Sequence, residues 1–183
     1  QASRSRARVT STGEPILLLD QDRSRWDRLL IQRGLAALAL AESIARPLGP
    51  YTLQAAIAAC HARARTAAET NWAQIATLYA ALAQLSPSPI VELNRSVAVG
   101  MAEGPQAGLD IVDAIAAQGA LTGYHLLPSV RADFLKKLER FDEAKIEFEK
   151  AAAMTQNARE KTLLLGRAAE MDGASAEPAR KQA

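Results

Sequence analysis

Phe141-Asp-Glu-Ala144-Lys-Ile-Glu-Phe148-Glu-Lys-Ala151 is the stretch whose reading decides the fold. Ala144, Phe148 and Ala151 stand at i, i+4 and i+7. At 3.6 residues per turn these positions share one face of an α-helix. A face with a large ring between two small side chains suits a second helix that crosses closely.

Working outward, Ala-x-x-x-Phe-x-x-Ala after a Phe-Asp-Glu-Ala turn is the second-helix pattern of a tetratricopeptide unit, with Leu135 on the helix before it. Such helix pairs recur about every 34 residues. The preceding unit carries Ala98, then Ala107, Ile111 and Ala114; an earlier one carries Ala64, then Ala73, Thr77 and Ala80. Ala73, Ala107 and Ala144 are spaced 34 and 37 apart. The expected fold is all-α: antiparallel helix pairs stacked as a tetratricopeptide-like (TPR-like) α-solenoid of about eight helices. One such pair cannot bury its apolar face alone, and stacking closes the core.

Breaks divide the chain accordingly. Residues 1–15 lack periodicity and read as a linker or irregular lead-in, with Ile16 to Leu19 pinning it to the core. The first helix is expected over Arg23–Arg46, burying the stripe Trp26, Leu30, Gly34, Ala37, Ala41 and Ile44. Gly34 costs about 1 kcal/mol against Ala in a helix interior, so a close helix approach is expected there. Pro47, Gly49 and Pro50 break the chain; a second helix covers 52–68, and Asn71 with Gln74 caps a third. Ser86-Pro87-Ser88-Pro89 and Gly104-Pro105 each place proline at a helix start. Further helices are expected near 126–140, 142–154 and 157–171, the last opened by Asn157 with Glu160. The helical domain is thus 16–171, with a frayed tail over 172–183.

Alanine-rich composition supports this reading, because alanine has the highest helix propensity. Aromatics are only 4%, and β-branched and aromatic residues are what strands favour. Net charge is +2, too small for strong global attraction to nucleic acid. Arg4, Arg6 and Arg8 are a local exception, preceding the first acid, Glu14. Cys60 stands alone, so no disulfide forms within the chain; it falls on the stripe Leu53, Ile57, Cys60, Ala64 and reads as a buried small apolar group. No apolar run approaches a membrane span, and a cytoplasmic location is expected. The chain opens on Gln1, and a fragment of a longer protein is expected.

No phosphate loop, dinucleotide glycine motif, paired-histidine zinc motif or nucleophile elbow occurs. His61 and His125 lie 64 residues apart, and structural hydrogen bonds are expected of each. No catalytic, metal-binding or cofactor-binding residue is expected, and no enzyme activity. Three polar clusters remain. Asp20, Asp22, Arg23, Trp26 and Asp27 surround a helix start, where carboxylates offset unpaired amides. Glu92, Asn94 and Arg95 follow, with Glu92 and Arg95 able to pair and Asn94 expected at least partly buried beside Ile90, Val97 and Met101. Tyr124, His125 and Arg131 lie at an inter-repeat turn.

Four strings in order carry a family resemblance: Leu-Leu-Asp20-Gln-Asp22-Arg23-Ser-Arg-Trp26-Asp27, Gly49-Pro-Tyr51-Thr-Leu-Gln54, Glu92-Leu-Asn94-Arg95-Ser-Val, and Tyr124-His125-Leu-Leu-Pro128-Ser-Val-Arg131. Together they resemble the C-terminal tetratricopeptide-like domain of a group of bacterial extracytoplasmic-function (ECF) sigma factors. The resemblance covers about Ile16 to Ala169. It implies a regulatory part in transcription initiation, with the sigma regions of the same polypeptide and RNA polymerase as partners. Promoter DNA would be met through the sigma regions absent from this chain. Arg4, Arg6 and Arg8 would then lie in the link to those regions, near DNA or the sigma core. The other readings are a stand-alone adaptor for a peptide or protein and a small-molecule-sensing helical domain with a pocket near His61 or His125.

Overall fold

A computed structural model describes the backbone of residues 2–44 and 47–181, with side chains described through Ala174. The described residues form two short 3-10 turns, Ala2–Ala7 and Arg23–Arg25, and eight α-helices. The helices are α1 (Arg28–Ile44), α2 (Pro50–Arg63), α3 (Trp72–Leu85), α4 (Pro89–Glu103), α5 (Pro105–Ala117), α6 (Leu126–Lys137), α7 (Phe141–Met154) and α8 (Ala158–Lys181). No β-strand longer than an isolated bridge occurs among the described residues. The chain is all-α, and consecutive helices pack on one another within each of two compact units. The division falls between Ser88 and Pro89, inside the stretch expected to be a single domain.

The first unit holds α1 to α3. Its lead-in is folded where a linker is expected. Ala7 and Trp26 are buried, the Asp27 amide donates to Ser3 O at 2.9 Å, and Val9 bridges Pro15. Leu17 and Leu19 stay exposed, so Ala7 and Trp26 are the anchors rather than Ile16 to Leu19. The first helix is also interrupted. Asp22 caps the 3-10 turn through the Ser24 amide at 2.9 Å, Trp26 takes an extended backbone, and Asp27 accepts from the Leu30 amide at 3.0 Å to open α1. Asp22 and Asp27 do what the helix-start reading expects, for a short 3-10 turn and α1 instead of one helix.

The face that α1 buries is not the expected stripe. Leu38 is its one fully buried residue, packing with Ala56 and Ala59 of α2, with Leu35 and Leu78 alongside. Leu30, Gly34, Ala37 and Ile44 are exposed, and nothing lies within 4 Å of a Cβ built on Gly34. The expected helix end at Arg46 lies outside the described residues. On α2, Leu53, Ile57 and Cys60 are buried as the stripe requires. Asn71 caps α3 through the Gln74 amide at 3.0 Å.

The second unit holds α4 to α8 around one core of Leu93, Leu109, Val112, Ile115, Phe134, Leu135, Phe148, Leu164 and Met171 with interleaved alanines. Ala144, Phe148 and Ala151 are fully enclosed. Burying the Phe148 side chain stabilises by roughly 1.5–3 kcal/mol. The repeat register on α5 differs from the alanine count: Ala114 is exposed, while Gly108, Val112 and Ile115 are buried. Gly108, Val112 and Ile115 each stand 36 positions before Ala144, Phe148 and Ala151, so glycine takes the small-residue place. A Cβ on Gly108 would lie 2.9 Å from Gly100 Cα and 2.4 Å from the Phe134 ring. α4 and α5 therefore cross with backbones nearly touching, and Phe134 lies against the crossing. Gly104 turns between them at φ 110°, where a side chain would be strained, and Pro105 starts α5. α8 continues to Lys181, past the expected fraying at 172; residues 182 and 183 lie outside the described residues.

Candidate interaction surfaces

In the first unit the Asp20–Asp27 cluster is built on Arg23. The side chain is buried although it is charged, and a buried charge needs partners. Its Nη1 donates to His61 O at 2.8 Å and Ala64 O at 3.0 Å, and its Nη2 donates to Thr70 Oγ1 at 2.9 Å. His61 and Ala64 end α2, where helix carbonyls have no partner within the helix. Arg23 thus caps a helix distant in sequence. Its guanidinium also lies 4.9 Å from the Trp26 ring centroid, with Arg4 at 5.8 Å. Burial lowers the Arg23 pKa from the ordinary arginine value, against the attraction of Glu69. Arg4 is lowered too, first by burial and then by repulsion from Arg8 and Arg23.

His61 belongs to this network, packing edge-on against Trp72 at 5.2 Å. Burial, with the positive charges of Arg23 and Arg4, pushes its pKa down to about 4. It is therefore neutral at pH 7. Cys60 beside it is a buried thiol whose pKa burial raises, which disfavours the nucleophilic thiolate. Asp20 and Asp22 are exposed. Arg6 and Arg8 are exposed, and Arg6 lines a shallow open depression with Ser24, Arg25, Trp26 and Asp27.

The second unit carries the other two clusters. Glu92 and Arg95 pair at 2.8 Å one turn apart on α4. Asn94 is exposed, not partly buried; the adjacent core positions of α4 are Leu93 and Ser96. His125 Nε2 lies 3.0 Å from Glu160 Oε1, and its ring tilts against Tyr124 at 5.8 Å. Glu160 also accepts from Thr155 Oγ1 at 2.6 Å, so it serves this turn instead of reaching back to Asn157. Asn157 still caps α8, accepting from the Arg159 amide at 3.0 Å. Arg131 joins three helices, donating to Asp113 of α5 at 2.7 Å and Glu147 of α7 at 3.2 Å. Burial opposes its charge, but these two partners together hold its pKa above the ordinary arginine value. Arg167 of α8 pairs with Asp133 of α6 and lies 4.3 Å from the Phe148 ring centroid.

Residues outside the three polar clusters complete both networks: His61, Ala64 and Thr70 for Arg23, and Asp113, Glu147 and Glu160 for the Tyr124–Arg131 turn. Each partner comes from another element, so local spacing carries no sign of the pairing. Among the described residues no group of three or more His, Cys, Asp or Glu stands where it could hold a metal ion. No helix of the described residues is long and apolar enough to cross a membrane.

These features define an all-helical protein of consecutively packed helix pairs, in which buried Arg23 and half-buried Arg131 tie neighbouring elements together. Residues 1–42 match a family model described as a family of unknown function (DUF6596). The chain is 44% identical over 179 residues, 98% of its length, to an uncharacterized protein of Rhizobium meliloti (strain 1021). It spans 41% of that curated relative's length. No solved structure matches it.

Proposed function

We propose that this chain is the non-catalytic regulatory domain of a bacterial extracytoplasmic-function sigma factor, acting in the cytoplasm on transcription initiation. It docks on the sigma regions of its own polypeptide or on RNA polymerase and sets their activity. Promoter DNA is contacted by the sigma regions and not by this domain. The observation that carries the reading is the ordered run of four strings, from Asp20–Asp27 to Tyr124–Arg131. A relative more than twice as long as this chain agrees with a domain that accompanies others.

The residues of those strings divide by role in this reading. Arg23, Trp26, Asp27, His125 and Arg131 hold the helices in place, through the Arg23 bonds to the end of α2, the Trp26 ring beneath that guanidinium, the Asp27 cap, and the His125–Glu160 and Arg131–Asp113 contacts. Exposed Asp20 and Asn94 are free to meet a partner. The test is promoter-specific transcription by the full-length protein with and without residues 16–171. Altered output or altered polymerase affinity is expected; equal output with equal affinity refutes the reading.

A further inference from the structure

The exposed side of α1 is apolar over most of its length. Leu29, Leu30, Leu40 and Ile44 are 55%, 42%, 61% and 75% exposed. At 100° per residue, Leu29, Leu40, Ile44, Ala37 and Leu30 fall within one 100° sector, centred about 130° around the helix from buried Leu38. The area is on the order of 400 Å², within the range of about 300–600 Å² at which the largest patch of a monomer is often functional. A surface helix ordinarily keeps one apolar stripe and a polar opposite face. α1 has apolar residues on both, and the uncovered stripe carries the more regular helical spacing.

One charge sits inside this sector. Arg33 is exposed between Leu29 and Ala37, and no carboxylate pairs with it among the described residues. The face is therefore exposed apolar surface with one cation, Arg33, that has no carboxylate partner among the described residues. An amphipathic helix with a carboxylate beside its apolar stripe complements both.

We infer that the exposed face of α1 seats such a helix from the sigma regions of the same polypeptide, with the carboxylate on Arg33. The identity of the occupant rests on the function proposed above. Two observations favour a partner within the polypeptide. The relative carries more than half of its length outside the part that matches this chain. The family match over residues 1–42 holds nearly all of this face, together with the lead-in that packs beside the start of α1.

The test is site-specific photo-crosslinking in the full-length polypeptide, with p-benzoylphenylalanine at position 40 or 44 and, as control, at exposed position 150 on α7. Crosslinked peptides are mapped by mass spectrometry. Positions 40 and 44 are expected to link to one acidic amphipathic helix of the sigma regions within the same molecule, and position 150 is not. Arg33→Glu is expected to abolish the link, and Arg33→Lys to keep it. Arg33 is exposed, so folding survives either change, and unchanged circular dichroism checks this. Linkage only between two copies, linkage only to the polymerase, or none at all overturns the inference. The transcription assay separates the two proposals. Domain-dependent transcription without the crosslink removes the seat and leaves the function; the crosslink with domain-independent transcription does the reverse.

Discussion

Gly100→Ala should destabilise the second unit although alanine is the better helix former. Gly100 is interior to α4, so the substitution gains about 1 kcal/mol of intrinsic propensity. Against this, the new Cβ would stand 2.2 Å from Phe134 Cε1 and 2.7 Å from its Cζ. Phe134 is itself buried, so the ring has no solvent to move into. Overpacking of a filled core costs about 1–3 kcal/mol, and occasionally more. A contact this short belongs at the top of that range, and the net loss should be about 2 kcal/mol. Urea unfolding of the chain, followed by far-UV circular dichroism, measures it. Phe134→Leu removes the clashing ring atoms, so the double variant should lose less than the sum of the single losses. Gly34→Ala is the control. It lies on α1 with nothing within 4 Å of its Cβ and should stabilise by up to about 1 kcal/mol. A Gly100→Ala chain as stable as the parent, or additive losses with Phe134→Leu, would refute the packing of the Phe134 ring on Gly100.

Three further outcomes are expected. Arg23→Met strands His61 O, Ala64 O and Thr70 Oγ1; hydrogen bonds to charged groups are worth about 1.5–3 kcal/mol each, so a loss of about 3 kcal/mol or more should appear in thermal unfolding of the first unit, with Arg23→Lys recovering under half because an ammonium lacks the planar fork. His61 is held neutral with its pKa at about 4 against an ordinary 6.5, so the unfolded chain takes up the proton first. Its contribution to stability is therefore full above pH 6.5 and is lost as pH falls toward 4. The shift corresponds to about 3 kcal/mol, reduced to about 1–2 by the ring's partial exposure, and His61→Gln should remove that part of the acid sensitivity. Asn94→Ala should change stability by less than about 0.5 kcal/mol in denaturant titration, because the side chain is exposed.

Much of the helical layout is legible in the chain alone. Pro89 and Pro105 sit at helix starts as expected, Pro50 starts α2 where a break is expected, and Asn71 and Asn157 cap α3 and α8. These signals act within a few residues, so they survive without knowledge of the fold. The core of α7 is legible for the same reason: Ala144, Phe148 and Ala151 repeat at helical spacing among charged neighbours. The repeat register was harder to read, because alanine is too common to mark a position. Only packing distinguishes Gly108 from Ala107, since only Gly108 lies where a backbone and a ring arrive together.

The candidate site divides along the same line. That Asp22 and Asp27 open helical elements follows from local chemistry. That Arg23 ends α2, or that Arg131 joins α5 to α7, depends on which surfaces meet, and no spacing records it. The amphipathic pattern of α1 states that its stripe belongs in a core; the tertiary structure decides that this chain's own core is built on the opposite face. Periodicity encodes a helix's need for burial, whereas the partner that satisfies the need is settled by long-range contact. The local sequence therefore defines helices, caps and apolar faces, and the assembled chain defines which face is left open.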